Sequence, residues 1–345
     1  MTQTLQEIAK SKGIIYGGFP QVSAQELSND RSFSNLFKQE YELLVAGFFG
    51  ISVSKEYNQY NFAEVEPFFQ YARQNGLLFR GHPLIWHEYN ANWVREKLNE
   101  PGVNKEEINR IFTEEISAKV KQYKGYVYAW DVVNEAIHPE DSREDGLRKT
   151  DWLRHLGSNY IEQAFLIASW NDANAKLIYN DYGLAYGGDW HSRRRDAVLE
   201  LLSKLTGNNA PIYGLGIQSH LSGEKNQDFD CRKFSQFLQD VESLGLKIFI
   251  TELDVNDKYL PKDIRIRDRA VADTYYQYLS CALDNQAVTT VVSWGLTDAH
   301  SWLSEADWSK RTDGAEERPL LFDRDNQPKP AYYAVMRALS EAPVR

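Results

Sequence analysis

The feature that most constrains the fold is a unit that recurs eight times: a short apolar run, ending in polar or aromatic residues, with longer helical patterns between the runs. The eight runs, interpreted as strands, are Ile14–Phe19, Leu43–Ile51, Leu77–Gly81, Val127–Val133, Lys176–Asn180, Tyr213–Ile217, Lys247–Ile250 and Thr289–Trp294. The helical patterns include Glu64–Gln74, Lys105–Lys121, Ser158–Asn171, Trp190–Leu205, Cys231–Leu244, Ile264–Leu283 and Ala331–Leu339. Alternating strands and helices predict parallel strands with right-handed crossovers. Eight such units favour the α/β class and a single (β/α)8 TIM barrel.

An open, doubly wound sheet is the competing architecture. That fold usually carries a glycine-rich phosphate loop after its first strand, and neither that fingerprint nor a P-loop occurs. No Pro/Ser/Gly linker divides the chain. We therefore expect one catalytic domain over residues 1–345, without a separate carbohydrate-binding module.

Composition limits the classes of molecule that the protein is expected to bind. The formal net charge is −10, which disfavours nucleic acid and anionic membranes, because both carry negative charge. Aromatic residues make up 13% of the chain, as a sugar-binding surface or a large core would require. Cys231 and Cys281 fit no disulfide framework or metal-ligand spacing, and are expected to be free thiols. A monomer without a cofactor is expected.

The first ten residues look like a helix, because they lack the apolar stretch of a signal peptide. The protein is therefore expected to be cytoplasmic if Met1 is the native start. It is expected to be secreted if a leader has been removed.

A barrel of this kind places its chemistry where the strands end, at the carboxyl rim. Chemically capable residues follow six of the eight predicted strands: His82, Trp86 and His87; Asn134 and Glu135; Asp181 and Tyr182; Gln218 and His220; Glu252 and Asp254; Trp294 and Asp298. The sequence thus predicts one rim lined by carboxylates, imidazoles, amides and indoles.

Two of these residues, Glu135 and Glu252, each follow an apolar strand. A carboxylate in that position is costly unless it is paired or used, so each could be a rim salt bridge. Together they match what glycoside cleavage requires: an acid that protonates the leaving oxygen, and a carboxylate that meets the oxocarbenium-like centre. The pattern alone does not say which glutamate has which role.

Five motifs occur in order: Gly81-His82-Pro83-Leu84-Ile85-Trp86-His87, Trp130-Asp131-Val132-Val133-Asn134-Glu135-Ala136, Gln218-Ser219-His220, Thr251-Glu252-Leu253-Asp254 and Trp294-Gly295-Leu296-Thr297-Asp298. Together they resemble family 10 of the glycoside hydrolases, the endo-β-1,4-xylanases, from about Leu5 to Leu339. The resemblance implies a retaining enzyme acting on β-1,4-linked xylan or xylo-oligosaccharides, with no metal. It assigns Glu135 as general acid/base and Glu252 as nucleophile, with their carboxyl groups about 5–5.5 Å apart.

The same resemblance assigns supporting roles. Asn134 is expected to bind the sugar 2-hydroxyl, His220 to orient Glu252, and Gln218 to lie beside both glutamates. His82 and Trp86 are expected on the non-reducing side of the cut, and Tyr182 on the leaving-group side. The remaining assignments are Trp294 and Trp302 as aromatic floor and wall, and His87, Asp131 and Asp254 as supporting residues. The His82–Pro83 peptide bond is predicted to be cis.

The loop after the second strand departs from the family pattern, which resembles Pro-Glu-Asn-x-Met-Lys-Trp. Lys55 aligns with the family lysine and is expected to bind substrate, whereas Ile51 and Ser52 replace the polar pair. Glu56 or Asn58 would have to replace the lost contacts. The distal sugar site is therefore expected to bind xylose more weakly, or to accept another or a decorated β-glycan. A barrel that binds glycans without cutting them is the third hypothesis.

Overall fold

The computed structural model describes residues 3–345 and contains a closed eight-stranded barrel. Its strands are β1 (Ile15–Gly18), β2 (Leu43–Gly47), β3 (Leu78–His82), β4 (Val127–Asn134), β5 (Lys176–Asp181), β6 (Gly214–Ile217), β7 (Lys247–Asn256) and β8 (Val288–Ser293). Each strand pairs in parallel with the next, and β8 pairs with β1 to close the ring. The predicted (β/α)8 barrel is confirmed.

Thirteen α-helices lie in the described part of the chain. They are α1 (Leu5–Ser11), α2 (Ala24–Asn29), α3 (Arg31–Glu40), α4 (Gly50–Val53), α5 (Glu66–Asn75), α6 (Asn92–Leu98), α7 (Lys105–Gln122), α8 (Asp151–Leu156), α9 (Tyr160–Asn171), α10 (Asp189–Gly207), α11 (Cys231–Ser243), α12 (Ile264–Leu283) and α13 (Pro330–Glu341). The predicted helix at the start begins only at Leu5, because Thr4 and Glu7 form a capping box there. Met1 and Thr2 lie outside the described residues.

Helix α11 shows why these segments form helices that cover the barrel. Asp230 accepts a hydrogen bond from the backbone N–H of Lys233 and so caps the first turn. Phe234, Phe237, Leu238 and Val241 recur at the spacing of one helix face, and all four are buried. Burial of that face, more than local propensity, holds the helix on the sheet.

The predicted extent of the second strand, Leu43–Ile51, is wrong. Pairing ends where Gly47 lies opposite His82 of β3, and the chain then turns into α4. The run from 43 to 51 is apolar throughout, so hydrophobicity does not mark where the partner strand ends. As a result Phe49, rather than Ile51 or Ser52, is the residue of this loop that reaches the rim.

The barrel interior is filled in layers. Near the amino ends of the strands, Ala129, Ile178 and Phe249 pack together. Leu43, Val45, Val292 and Trp294 form a second cluster. Gly81 belongs to the packing between the barrel and its helices, where a side chain would overlap the indole of Trp130. The filled interior leaves only the carboxyl rim available for a substrate.

The expectation of two free thiols is wrong, because Cys231 and Cys281 form a disulfide. Cys231 begins α11 and Cys281 lies in the last turn of α12, and packing of these two helices brings the sulfurs together. The two cysteines are 50 residues apart in the sequence. Linear spacing of that length does not reveal a pairing, which depends on how the helices pack.

Opening this disulfide is expected to destabilise the protein. A cross-link that closes a loop of this length restricts the unfolded chain and typically contributes about 2–4 kcal/mol. We expect the double variant Cys231→Ser/Cys281→Ser to melt roughly 3–6 °C lower by calorimetry. Reductant should lower the Tm of the unmodified protein similarly and leave the double variant unchanged. Equal Tm values for oxidised and reduced protein would contradict the pairing.

From residue 3 onward, no helix combines the length and apolar character needed to cross a lipid bilayer.

Candidate active site

Strands β4 and β7 deliver the two glutamates to the rim. Glu135 directly follows the last residue of β4, and Glu252 lies inside the long strand β7. The backbone N–H of Glu135 donates to the carbonyl of Asn180 at 2.9 Å, and that of Glu252 donates to the carbonyl of Gln218 at 2.9 Å. Each glutamate is thereby tied to the end of a neighbouring strand.

Side-chain amides connect the two carboxylates. Asn134 Nδ2 lies 3.0 Å from one Glu135 oxygen, and Asn134 Oδ1 accepts from Asn180 Nδ2 at 2.8 Å. Asn180 Nδ2 also lies 2.7 Å from Glu252 Oε1. Gln218 Nε2 donates to Glu135 at 2.9 Å. The two carboxyl groups therefore belong to one hydrogen-bonded cluster, while their separation of about 5–5.5 Å stays a prediction.

Glu252 lies in surroundings that favour its ionised form. Burial alone would raise its pKa, but the His82 ring, the His220 imidazole and the Arg80 guanidinium together lower the pKa to about 2. His220 Nε2 is 3.3 Å from Glu252 Oε2, and His82 Nδ1 is 3.9 Å from Oε1. Such a carboxylate is ionised throughout the range in which the protein would work, as a nucleophile must be.

Glu135 has the opposite character. Burial of its carboxyl raises the pKa to about 7, against the lowering effects of the Gln218 amide and the Arg148 guanidinium. The neighbouring charges of Asp181 and Glu252 add to the increase. Trp86 Nε1 donates to the second carboxyl oxygen at 3.1 Å. A carboxyl with this pKa holds a proton near neutrality and can release it.

These two pKa values predict a bell-shaped pH profile for kcat/KM. Activity is lost as pH falls through about 2, where Glu252 takes a proton, and as pH rises through about 7, where Glu135 loses one. The measurement is kcat/KM on a xylo-oligosaccharide at constant ionic strength, over the range in which circular dichroism stays native. An alkaline limb near the ordinary glutamate value of 4.5 would contradict the environment described for Glu135.

A chain of hydrogen bonds supports His220 from behind. Asp254 accepts from His220 Nδ1 at 2.9 Å and from Trp302 Nε1 at 2.7 Å. Burial lowers the pKa of His220, but Asp254 and Glu252 outweigh burial and raise it to about 10. His220 is therefore a cation beside Glu252, the orientation and charge that its predicted role requires.

A second support lies on the other side of Glu252. Arg80 is fully buried and pairs with Asp131, which also contacts His82 Nδ1 at 2.6 Å. Arg80 donates as well to the carbonyl of Thr251 at 3.2 Å. Asp131 thus fixes the His82 ring rather than reaching the cleft.

The glutamates lie in a cleft of about 1120 Å³. The cleft is lined, as predicted, by Trp86, Trp294 and Trp302. Phe19 stacks on Trp294 with ring centres 4.4 Å apart. Flat aromatic faces of this kind suit the apolar faces of sugar rings. Tyr182 lines a further stretch of the cleft, beyond Glu135.

The remaining predicted residues fall in different places. Asn134 is buried beneath the cleft surface, where its amide donates to Glu135. His87 lies next to the cleft wall, where burial and the Arg148 charge lower its pKa to about 3, so it is neutral. Lys55 is exposed on the hairpin formed by Ser54–Glu56 and Gln59–Tyr60, outside the residues that line the cleft. This geometry gives its predicted role no support.

The predicted cis bond at His82–Pro83 is wrong, because residues 3–345 contain no cis peptide bond. The carbonyl of His82 accepts from Phe48 N–H at 2.7 Å, and Leu84 N–H donates to the carbonyl of Asp131 at 2.8 Å. These bonds tie the segment to both neighbouring strands in trans geometry. The intrinsic preference for trans is only about 0.5–1 kcal/mol before proline, so such local contacts decide the isomer.

His82, Asp131 and Glu252 form a compact set of donors within the described residues, with ligand atoms all within 4.8 Å of one another. Two cations already adjoin this set: Arg80 pairs with Asp131, and His220 with Glu252. Their positive charges oppose the entry of a further cation.

Several residues of the site were given no predicted role. Phe49 and Tyr89 line one end of the cleft, and Asn180 and Arg148 contact the glutamates or their backbone. Asn180 ends a predicted strand, and that position at the rim could have indicated that its side chain contacts the glutamates. The other three lie in loops, where strand periodicity gives no indication of direction.

A closed barrel with two rim glutamates of opposed pKa, set in an aromatic cleft, defines a glycoside hydrolase. The chain belongs to glycosyl hydrolase family 10, whose sequence model matches residues 4–338.

Individual relatives agree. Endo-1,4-beta-xylanase A of Caldicellulosiruptor saccharolyticus is 32% identical over 300 residues, which cover 83% of this chain and 82% of the relative. Endo-1,4-beta-xylanase A of Thermotoga neapolitana is 33% identical over 287 residues, but this chain spans only 25% of that longer protein. The crystal structure of xylanase 10B from Thermotoga petrophila RKU-1 in complex with xylobiose superposes with a TM-score of 0.86 at 28% identity, covering 99% of this chain and 98% of that one.

Proposed function

We propose that the protein is a retaining endo-β-1,4-xylanase that acts by double displacement. The observation that carries the proposal is the opposed protonation of Glu135 and Glu252 within one cluster at the centre of the cleft. Relatives of similar length are xylanases, and one of similar structure was crystallised with xylobiose.

In the first step Glu135 donates its proton to the glycosidic oxygen while a Glu252 oxygen attacks the anomeric carbon. The bond to the leaving sugar breaks, and that sugar departs with a new hydroxyl. In the second step Glu135, now ionised, takes a proton from water as the water oxygen attacks the same carbon and releases Glu252. Two inversions return the β configuration.

The amide cluster can stabilise this path. Asn134 Nδ2 now donates to Glu135, and it can exchange that bond for the sugar 2-hydroxyl when substrate enters. Asn180 Nδ2 stays on Glu252 and keeps one oxygen oriented. Hydrogen bonds to the 2-hydroxyl strengthen as the oxocarbenium-like state forms, so this exchange lowers the barrier.

The test is product analysis on a panel of β-glycans, including xylan, with the anomeric configuration followed by NMR. We expect new reducing ends from xylan, and oligosaccharides whose first-formed anomer is β. First-formed α product would contradict the retaining mechanism. No release of reducing ends from any glycan would instead support a barrel that binds without cutting.

A second candidate, a different or decorated β-glycan as substrate, is favoured by the far end of the cleft. Phe49 contacts Trp86 and Tyr89, with ring centres 6.1 and 4.9 Å apart, and Ile51 is 45% exposed away from these rings. Gln21, which also lines this end, uses both amide atoms on the backbone of Trp294 and Trp302. Recognition of the distal sugar here rests on stacking rather than on hydrogen bonds.

This surface predicts a modest contribution from the distal sugar. Each missing hydrogen bond is worth about 0.5–1.5 kcal/mol. The second xylose of an aryl β-xylobioside should therefore raise kcat/KM above that of the aryl β-xyloside by less than it would in an enzyme that hydrogen-bonds this sugar. Phe49→Ala should reduce the remaining gain, and Phe49→Tyr should preserve it. Tyr57→Ala, an exposed ring outside the cleft lining, is the control. A gain unchanged in Phe49→Ala would show that stacking contributes nothing.

We also propose that residues 1–345 act as one catalytic domain and as a monomer. Of the two compartments left open by the sequence, the disulfide favours secretion, because such bonds persist in oxidising surroundings. Fractionation of the native host with an antibody to the protein tests this. Recovery from the cytoplasm alone would contradict it.

A further inference from the structure

The backbone of Glu135 adopts a conformation that side-chain-bearing residues seldom take. Its φ is +58°, in the left-handed region. Residues at functional sites hold such conformations only where surrounding contacts determine them. The N–H of Glu135 is held by the Asn180 carbonyl, so its own carbonyl is the other group that must be fixed.

Arg148 holds that carbonyl. Its Nε donates to the Glu135 oxygen at 2.9 Å, and its own backbone N–H donates to the carbonyl of Ala136 at 2.7 Å. Arg148 therefore contacts two successive peptide groups at the turn where Glu135 leaves β4. A lysine at 148 would keep the backbone bond to Ala136. It would not reproduce the side-chain contact together with a second one, because its single ammonium lacks the rigid fork of a guanidinium.

The other arm of Arg148 reaches the cleft wall. Nη2 donates to the hydroxyl of Tyr182 at 3.0 Å. The Tyr182 ring is held on its other side by Arg194, whose guanidinium carbon lies 4.1 Å from the ring centre and which pairs with buried Asp181. One guanidinium thus joins the Tyr182 hydroxyl to the backbone of Glu135.

We propose that Arg148 is a positioning residue that couples occupancy of the leaving-group site at Tyr182 to the aim of the Glu135 carboxyl. The inference rests on the proposed role of Glu135 as general acid. A sugar stacked on Tyr182 orders the tyrosine hydroxyl, which fixes the Arg148 fork and with it the turn that carries Glu135. Proton donation to a poor leaving group depends on this aim, whereas departure of a good leaving group does not.

The experiment compares two substrates in Arg148→Met, Arg148→Lys and Tyr182→Phe. One is xylotetraose, whose leaving sugar needs a proton, and the other is dinitrophenyl β-xylobioside, whose leaving group does not. For Arg148→Met we expect kcat/KM to fall about 10- to 100-fold on xylotetraose and less than about threefold on the aryl glycoside. The other two variants should show the same contrast at smaller size. Arg143→Met, on the same loop and paired with Asp145 at 2.7 Å, is the matched control.

A pH profile gives a second readout. The Arg148 charge lowers the pKa of Glu135, so the alkaline limb of Arg148→Met should move to higher pH, and that of Arg148→Lys should move less. Equal losses on both substrates, or no loss on either, would overturn the proposal. If Arg148→Met does not fold, the same contrast in Arg148→Lys and Tyr182→Phe decides. Glu135→Ala distinguishes failure of the Arg148 proposal from failure of the general-acid role of Glu135. Equal losses on both substrates in that variant would refute the general-acid role itself.

Discussion

Replacing Glu252 with alanine should reduce kcat on xylan by about 10⁴- to 10⁶-fold, the range seen when a covalent nucleophile is removed. The alanine variant cannot form the glycosyl ester, and the His82 and His220 rings then face an empty space instead of a carboxylate. The measurement is the release of reducing ends. Azide, which fits the space left by the carboxylate, should restore cleavage of dinitrophenyl β-xylobioside and yield the α-glycosyl azide, because a single displacement inverts the centre.

The matched control is Glu64→Ala, an exposed glutamate far along the chain from either motif and outside the cleft lining. Its activity should equal that of the unmodified protein. A Glu252→Ala enzyme that keeps a tenth or more of the activity would remove residue 252 from the nucleophile role. An azide product of β configuration would also do so.

Replacing Glu135 with alanine should reduce kcat/KM on xylotetraose by about 10²- to 10⁴-fold, the usual contribution of a general acid. The same change should leave kcat/KM on dinitrophenyl β-xylobioside within about tenfold, because that leaving group departs without a proton. Its turnover should slow, since no base then activates the water of the second step. The alkaline limb of the pH profile near 7 should disappear with the carboxyl that produces it.

Glu135→Gln is the companion variant, because it keeps the size of the side chain but cannot release a proton. Its single amide oxygen can accept from Gln218 or from Trp86, but not from both. It should behave like the alanine variant on both substrates. If it retains the alkaline limb, another group supplies the proton. Pre-steady-state measurement of dinitrophenolate release should show a burst in both variants, since the covalent intermediate forms faster than it is hydrolysed.

The barrel was accessible from the sequence because it depends on local patterns. Eight apolar runs and the helices between them follow from burial on both faces of each strand and on one face of each helix. The motif residues Glu135, Glu252, Gln218 and His220 follow the predicted strand ends, and parallel strands bring their carboxyl ends to one rim. Their convergence therefore required only the strand assignment and the closure of the barrel.

The loop after β2 shows where such patterns fail. Leu43–Ile51 is apolar throughout, and only the end of pairing at Gly47 decides that Phe49 enters the cleft while Ile51 faces solvent. Lys55 was aligned by its residue type, yet it is exposed on a hairpin and is not among the residues that line the cleft. The pairing of Cys231 with Cys281 and the trans bond at Pro83 likewise depend on helix packing and on bonds to neighbouring strands.

The amino-acid sequence by itself determined the barrel, the order of its strands and the residue types at their ends, because periodic burial is a short-range property of the chain. Only the tertiary structure decided the protonation of the two glutamates. The pKa of each carboxyl depends on desolvation and on charges from distant segments, Arg80, His82 and His220 for Glu252 and Asp181, Gln218 and Arg148 for Glu135. These electrostatic fields act across space, so two glutamates with similar sequence contexts acquire opposite chemistry.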